Sequence, residues 1–268
     1  MIIADYHVHS SFSSDSDTPV EAMIEQAISL GMKRICFTDH MDLDFPKQYL
    51  LNFQFNVDDY FKTLTKACEK YKQEIKIFKG IEIGLMPHLG NAYQKLLSAY
   101  PFDFVIASTH LINGIDPYYP EFWENRTEKE ALQCYFDSIL ENITIFQNFD
   151  VYGHLDYISR YAPSKGASLH MEDFQEIIDQ ILKTLISYEK GIEVNTAGYK
   201  YGMGHPNPHE NIIKRFFSLG GSILTIGSDG HKTEHLAYDF PKIEMVLKQL
   251  GVKEYSVFEH RNPISISL

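Results

Sequence analysis

Six histidines and three acids stand at spacings that suit metal chemistry. His7 and His9 are two residues apart, so on an extended strand their side chains share one face and can grip one ion. Further along come Asp39-His40, Glu82, Thr109-His110, His154 with Asp156, Asn195, and Asp229 with His231. Imidazole and carboxylate together suit zinc, manganese or iron. Glu82 is a carboxylate able to bridge two ions, and Asp15, in the stretch after His9, can lean over the same mouth. These ligands outnumber what one tetrahedral or octahedral ion takes, so two to three divalent ions are expected. Paired ions share a hydroxide, lower its pKa and clamp the oxygens of an in-line displacement, the chemistry of a metal-dependent hydrolase. A lone histidine on an apolar strand is more often a packed core residue, and His-x-His alone is a weak signal. Nine such residues at matching places are hard to assign to packing.

Something must bring residues so far apart in sequence to one place. Apolar runs at Ile2–Val8, Arg34–Thr38, Ile75–Ile83, Phe102–Ser108, Val151–Leu155, Gly191–Asn195 and Ser222–Gly227 read as strands. Helices are expected between them, at Pro19–Leu30, Val57–Tyr71, Asn91–Ala99, Thr127–Asn148, Met171–Glu189, Pro208–Leu219 and Glu234–Leu250. Thr18-Pro19 offers an N-cap with proline at the first helical position, Gly31 a C-cap, and Gly220-Gly221 another helix end. Seven βα repeats imply a parallel sheet with helices outside, an α/β fold. A distorted (βα)7 TIM-like barrel suits seven strands better than an open doubly wound sheet, which is the alternative. The chemically able residues fall at the carboxyl ends of these strands, the face where parallel barrels place active sites.

The bulk properties set limits on function. A chain of 268 residues is long enough for one large βα domain, read as a single barrel over 1–268. The net charge of −12 argues against long nucleic acids as partners, which call for a basic footprint, and leaves a small-molecule ligand. No apolar run approaches the roughly 18 residues a membrane span needs. The start has no basic n-region, and Cys36, Cys68 and Cys134 read as reduced core thiols, so a cytoplasmic location is expected. His88, His170, His209, His235 and His260 read as surface residues, and His205, in the loop after the sixth strand, is left open.

At this point the motifs resemble the PHP superfamily, named for polymerase and histidinol phosphatase domains. They are His7-Val-His9 with Ser10 and Asp15, Thr38-Asp39-His40, Ser108-Thr109-His110 and Ser228-Asp229-Gly230-His231, with Gly80-Ile81-Glu82 and Gly153-His154-Leu155-Asp156 between them. The resemblance spans Ile3 to about Leu250. It implies a (βα)7 barrel with a trinuclear metal centre. His7, His9, Glu82 and Asp229 would hold one ion, Glu82, His110 and His154 a second, and Asp15, His40 and His231 a third. Some members have histidine where Asp15 stands. A stand-alone chain with Thr38-Asp39-His40-Met41-Asp42 and Glu193-Val194-Asn195-Thr196-Ala197-Gly198 is similar to the histidinol-phosphatase branch. That implies hydrolysis of L-histidinol phosphate, a step of histidine biosynthesis, by a metal-bound hydroxide and with no covalent enzyme intermediate. The alternatives are a phosphoesterase acting on nucleotides or short nucleic acids, and a non-catalytic metal-binding domain.

A phosphate monoester needs cations besides the metals. Arg160 and Lys200 follow the fifth and sixth strands closely and are expected to reach the phosphate, with Arg160, Glu82 and Asp229 as the catalytic set. The family tends to have arginine near Lys200, so this position departs from it, and Lys165 is a weaker candidate. Histidinol carries an ammonium and an imidazole, for which Asp42, Asp44 and Asp156 are candidates. Tyr118 and Tyr119 would wall the pocket.

Overall fold

The apolar runs become parallel strands, and the amphipathic stretches between them become the helices that cover the outside. The structure, a computed structural model, describes residues 1–164 and 171–268. In chain order these form β1 (Ala4–Val8), α1 (Val20–Ser29), β2 (Arg34–Phe37), β3 (His40–Met41), α2 (Val57–Tyr71), β4 (Lys76–Gly84) and α3 (Gly90–Ala99). Next come β5 (Phe104–Ser108), α4 (Glu128–Ile145), β6 (Val151–Tyr152), α5 (Gln175–Ser187), β7 (Gly191–Asn195) and α6 (Ala197–Lys200). Last are α7 (Glu210–Ser218), β8 (Leu224–Gly227), α8 (Phe240–Gln249), β9 (Glu254–Glu259) and β10 (Asn262–Ser267).

The sheet runs β1-β2-β4-β5-β6-β7-β8, all neighbours parallel, with the short β3 pairing β4. Its ends meet where the Asp229 amide donates to the His7 carbonyl at 2.8 Å and the His9 amide to the Gly230 carbonyl at 3.0 Å. The result is a nearly closed, distorted (βα)7 TIM-like barrel. Helices pack by apolar stripes: Val20, Met23, Ile24 and Ala27 are the buried residues of α1, at helical spacing. Thr127 and Glu130 form a reciprocal capping box at the start of α4, and the Asn56 side chain caps α2 by accepting from the Asp59 amide.

Several sequence boundaries move, each for a visible reason. Thr18 does not cap α1; its hydroxyl donates to the His231 carbonyl at 2.9 Å and Pro19 occupies the cap. β6 stops at Tyr152 rather than at Leu155, because the His154 amide turns to Glu193 Oε2 at 2.9 Å and leaves the ladder. The last long helix begins at Phe240, not Glu234, since Asp239 lies in the left-handed region at φ 51°. The hairpin β9–β10 has no counterpart among the seven expected strands. It lies across the amino ends of the barrel strands: the Ile3 amide donates to Tyr255 Oη, Arg34 pairs with Glu259, and Arg261 Nε donates to Asp150 Oδ2 at 2.6 Å.

Candidate active site

The opposite end of the barrel gathers the histidines. His7, His9 and Glu82 are wholly buried and His154 nearly so. His40 aligns with Glu82 in the pairing of β3 with β4, which sets the two side by side. Asp229 adopts φ 52°, a left-handed conformation costly for a residue with a side chain, immediately after β8. Two glycines make the approach possible. A Cβ on Gly227 would stand 2.3 Å from His7 Cβ, and one on Gly84 would stand 1.8 Å from Asp42 Oδ1.

Hydrogen bonding fixes how four imidazoles point. His7 Nδ1 donates to Glu193 Oε1 at 2.5 Å, His9 Nδ1 to Ser13 Oγ at 3.0 Å, His110 Nδ1 to Asp42 Oδ1 at 2.6 Å and His231 Nδ1 to the Asp229 carbonyl at 3.1 Å. Ser13 Oγ is left to accept because its own proton goes to Asp39 Oδ1 at 2.8 Å. Each ring therefore turns an Nε2 lone pair inward. His7 Nε2 lies 3.0 Å from His9 Nε2 and 3.2 Å from Glu82 Oε2. His110 Nε2 lies 3.2 Å from Glu82 Oε1, and His231 Nε2 lies 3.1 Å from Asp15 Oδ2. Lone pairs facing one another at such separations repel unless a positive charge stands between them. His154 Nδ1 is buried with no hydrogen-bond partner among the described residues, while His40 Nδ1 lies 3.0 Å from Glu82 Oε2 and 3.6 Å from Asp42 Oδ2.

Ligand atoms within 4.8 Å of one another form the sets His7–His9–Glu82, Glu82–His110–His154, His9–His40–His231, His7–His154–Asp229 and His40–Asp42–His110. Asp229 Oδ1 comes within 3.4 Å of His9 Nε2, and Asp15 lies 3.7 Å from His40 Nε2. Electrostatics tell the same story. Burial acts to lower the His7 pKa, but Glu193, Glu82 and Asp229 carry it well above its ordinary value. Burial likewise opposes protonation of His40, yet Glu82 and Asp15 bring it to about 9. His9 alone goes well below its usual range, through burial and the neighbouring His231 and His40. Burial would raise Glu82, but His7, His40 and His110 hold it well below the carboxylate range. A buried cluster that draws protons onto its imidazoles is one that accepts divalent cations in their place. The donor set of imidazole and carboxylate fits zinc, manganese or iron.

A further ring of polar residues holds the ligands. Glu193, facing inward from the apolar strand β7, grips His7 and also accepts from the His154 amide. Asp39 accepts from the amides and hydroxyls of both Ser10 and Ser13. Asp5 accepts from the Ser228 amide and hydroxyl and from the Ala237 amide. In the sequence Glu193 stands only as part of the Glu193–Gly198 motif, with no role of its own, and Asp5 is not singled out; the available signal was an acid inside an otherwise apolar strand.

Asp15, His40, His110, His154, Asp229 and His231 of the cluster line a cavity of about 450 Å³. Arg160, Lys200, Asp42, Asp15 and Asp229 line it, as expected of them. Phe45, Phe53, Asp116, Tyr157, Tyr161, Tyr201, Lys232 and His235 join them, contributed mostly by loops whose sequences carry no periodic signal. His235 is thus a pocket residue and not a plain surface one. Lys200 Nζ donates to the Asp229 carbonyl at 3.0 Å. Tyr118 is 62% exposed and packs edge-on against Tyr161 and Tyr119, so it stands behind the wall and does not line it. Tyr119 stacks on Tyr49 at 3.8 Å between ring centres. Asp44 pairs with the exposed His88, and Asp156 accepts from Asn207 Nδ2 and the His209 amide, a structural tie beyond the pocket. His205 Nδ1 meets the Pro206 carbonyl, His209 caps α7, and His260 pairs with Asp103. Lys165 and His170 lie outside the described residues.

A buried imidazole–carboxylate cluster on the carboxyl face of a seven-stranded barrel has a clear counterpart among known proteins. The PHP domain model matches residues 5–197, and the chain belongs to that family. Within it, the likeness is to stand-alone phosphatases over nearly the whole length. The histidinol-phosphatase of Lactococcus lactis subsp. lactis is 33% identical over 95% of this chain and 93% of its own. A probable histidinol-phosphatase of Clostridium acetobutylicum is 33% identical over 94% of this chain and 95% of its own. The crystal structure of histidinol phosphate phosphatase from L. lactis, complexed with zinc, L-histidinol and phosphate, superposes with a TM-score of 0.89 at 32% identity, covering 97% of this chain and 98% of the other. No helix among the described residues is long and apolar enough to cross a membrane.

Proposed function

We propose that this chain, acting as one unit over residues 1–268, hydrolyses L-histidinol phosphate to L-histidinol and phosphate. The observation that carries the reading is one cavity holding three things together: the ligand cluster, the cations Arg160 and Lys200, and the acids Asp42 and Asp116. Its volume suits a small phosphomonoester and not a nucleic-acid strand. The full-length likeness to histidinol-phosphatases points the same way.

In this reading His7, His9, Glu82 and Asp229 hold one divalent ion, Glu82, His110 and His154 a second, and Asp15, His40 and His231 a third, with zinc, manganese and iron as the candidates. The bound ions supply Lewis acidity on the phosphoryl oxygens and a nucleophilic hydroxide at neutral pH. Glu82 would serve both of its sites, Oε1 lying 2.9 Å from His154 Nε2 and Oε2 3.2 Å from His7 Nε2. Glu193, Ser13 and Asp42 keep the inward nitrogens of His7, His9 and His110 free to ligate. Arg160 and Lys200 face the phosphoryl oxygens and balance the charge that builds on them. Asp42 Oδ2, buried and 3.6 Å from His40 Nδ1, and Asp116 supply negative charge for the ammonium and imidazole of histidinol. Phe45 and Phe53, packed at 4.7 Å, offer an apolar face for the imidazole ring.

Steady-state kinetics on metal-analysed protein test this directly. Histidinol phosphate should be turned over with a kcat/KM well above that of other phosphomonoesters, nucleoside monophosphates and short single strands. Equal or better hydrolysis of nucleotides would reverse the assignment.

A further inference from the structure

Arg160 is an unusual arginine. Its Nε is buried without a hydrogen-bond partner, and no carboxylate pairs with it among the described residues. Aromatic rings surround it instead. Its guanidinium carbon lies 4.1 Å from the ring centre of Tyr201, 5.3 Å from that of Tyr161 and 5.5 Å from that of Tyr157. Tyr201 has a second cation on it, with Lys200 Nζ 5.0 Å from its ring centre. The two rings on Arg160's own side come from the loop after β6, whereas Tyr201 directly follows α6 after β7. One half-exposed ring therefore gathers two cations, Arg160 from the segment after β6 and Lys200 from the end of α6, into the same wall of the cavity.

Two cations brought together repel each other, and each loses water by being there; the nearby Asp229 offsets part of that cost without forming an ion pair with either. An aromatic face offsets part of that cost through its negative quadrupole, and a planar guanidinium stacks on it well. It does so without occupying the forked donors that a carboxylate would consume. We propose that Tyr201 is a positioning residue for phosphate recognition: its ring holds Arg160 and Lys200 together, with no carboxylate among the described residues ion-paired to either, so that an incoming phosphoryl group meets a preformed pair of cations. The ring face is the part of Tyr201 assigned this work; its hydroxyl also lies within reach of Arg160, and Y201F separates the two. Preorganisation of this kind strengthens binding of the anion without adding a contact to it.

The proposal rests on the cavity being a phosphomonoester site, and inorganic phosphate is the probe because it binds whichever ester is hydrolysed. Y201L and Y201F are compared with the parent enzyme, each with its metal content and melting temperature measured. Y201L is expected to raise the inhibition constant of inorganic phosphate, and the KM for histidinol phosphate, by roughly 3- to 30-fold, the range of a partly desolvated cation–π contact. L-histidinol, which has no phosphate, should inhibit Y201L as it does the parent, and Y201F should stay within about two-fold on every measure. In an R160A background the effect of Y201L on phosphate should largely vanish, since the ring acts through that side chain. Additive effects of Y201L and R160A would overturn the proposal, as would a Y201F loss equal to that of Y201L, or a Y201L that weakens L-histidinol as much as phosphate. Failure to hydrolyse histidinol phosphate, with the coupling on phosphate intact, would overturn only the substrate assignment.

Discussion

At the scale of single residues, Glu82 and Glu193 do different work with the same carboxylate. Glu82 lies among the inward nitrogens of His7, His40, His110 and His154. Glu193 meets His7 at its far nitrogen and takes the His154 amide on its other oxygen. Glu82→Gln keeps the shape and removes the charge that two ions would share, so nearly all turnover and much of the bound metal should be lost together. Near-parental turnover in a metal-replete Glu82 variant would refute the shared-ligand role. Glu193→Gln still offers His7 Nδ1 an acceptor, but a neutral one that does not raise the basicity of the ring. Metal affinity should fall by about 10- to 100-fold while added metal restores most of the activity. Competition with a metallochromic chelator measures the first, and titration of activity with metal the second.

At the scale of elements, the two ends of the barrel divide the labour. The carboxyl ends carry the ligands, while the β9–β10 hairpin covers the amino ends and makes no contact with the cluster. Arg261 Nε donates to Asp150 Oδ2, whose other tie is the Val105 amide at 2.8 Å. Arg261→Ala strands that buried carboxylate and should cost about 1–3 kcal/mol in urea denaturation. KM and kcat should not move, since amino-face contacts in such barrels serve stability. Burial raises the Asp150 carboxyl despite Arg261. An acid whose folded pKa lies above its unfolded one, about 4, destabilises the fold when ionised, and that cost disappears as it takes up its proton. The Arg261→Ala defect should therefore shrink as the pH is lowered from neutral toward that range. A defect that grew on acidification would place the cost elsewhere.

At the scale of the whole molecule, the barrel and its cluster form one electrostatic system. Strands β1, β3, β4 and the segments after β5, β6 and β8 all contribute donors to one buried site. Removing metal with a chelator should lower the melting temperature as well as abolish turnover, because buried carboxylates lose their counter-charge across most of the barrel. Zinc or manganese should restore both. Ion uptake displaces protons from the imidazoles, so apparent metal affinity should weaken as pH falls. Calorimetry in buffers of different protonation enthalpy counts those protons. A chelated protein with an unchanged melting temperature would mean that the ions do not support the fold.

The sequence by itself determined the seven strands of the barrel path and the parallel class of the sheet, though not β3 or the β9–β10 hairpin, and it singled out nine residues at or beyond the carboxyl ends. Strand-like runs alternating with helical ones admit few architectures, and His-x-His can share a face only on an extended strand. It did not determine which acid serves which role. Asp42, Asp44 and Asp156 read alike as rim acids. Only the tertiary structure sets Asp42 on His110, leaves Asp44 outside with His88, and ties Asp156 to the Asn207 loop. The pocket wall was likewise illegible. Phe53, Asp116, Tyr201 and His235 come from irregular loops, where no periodicity reports which way a side chain faces. The candidate ligands could be read because they lie in or just after strands whose carboxyl ends share one face of the barrel. The partners of Arg160, Lys200 and Tyr201 could not, because long-range packing alone decides which loops meet.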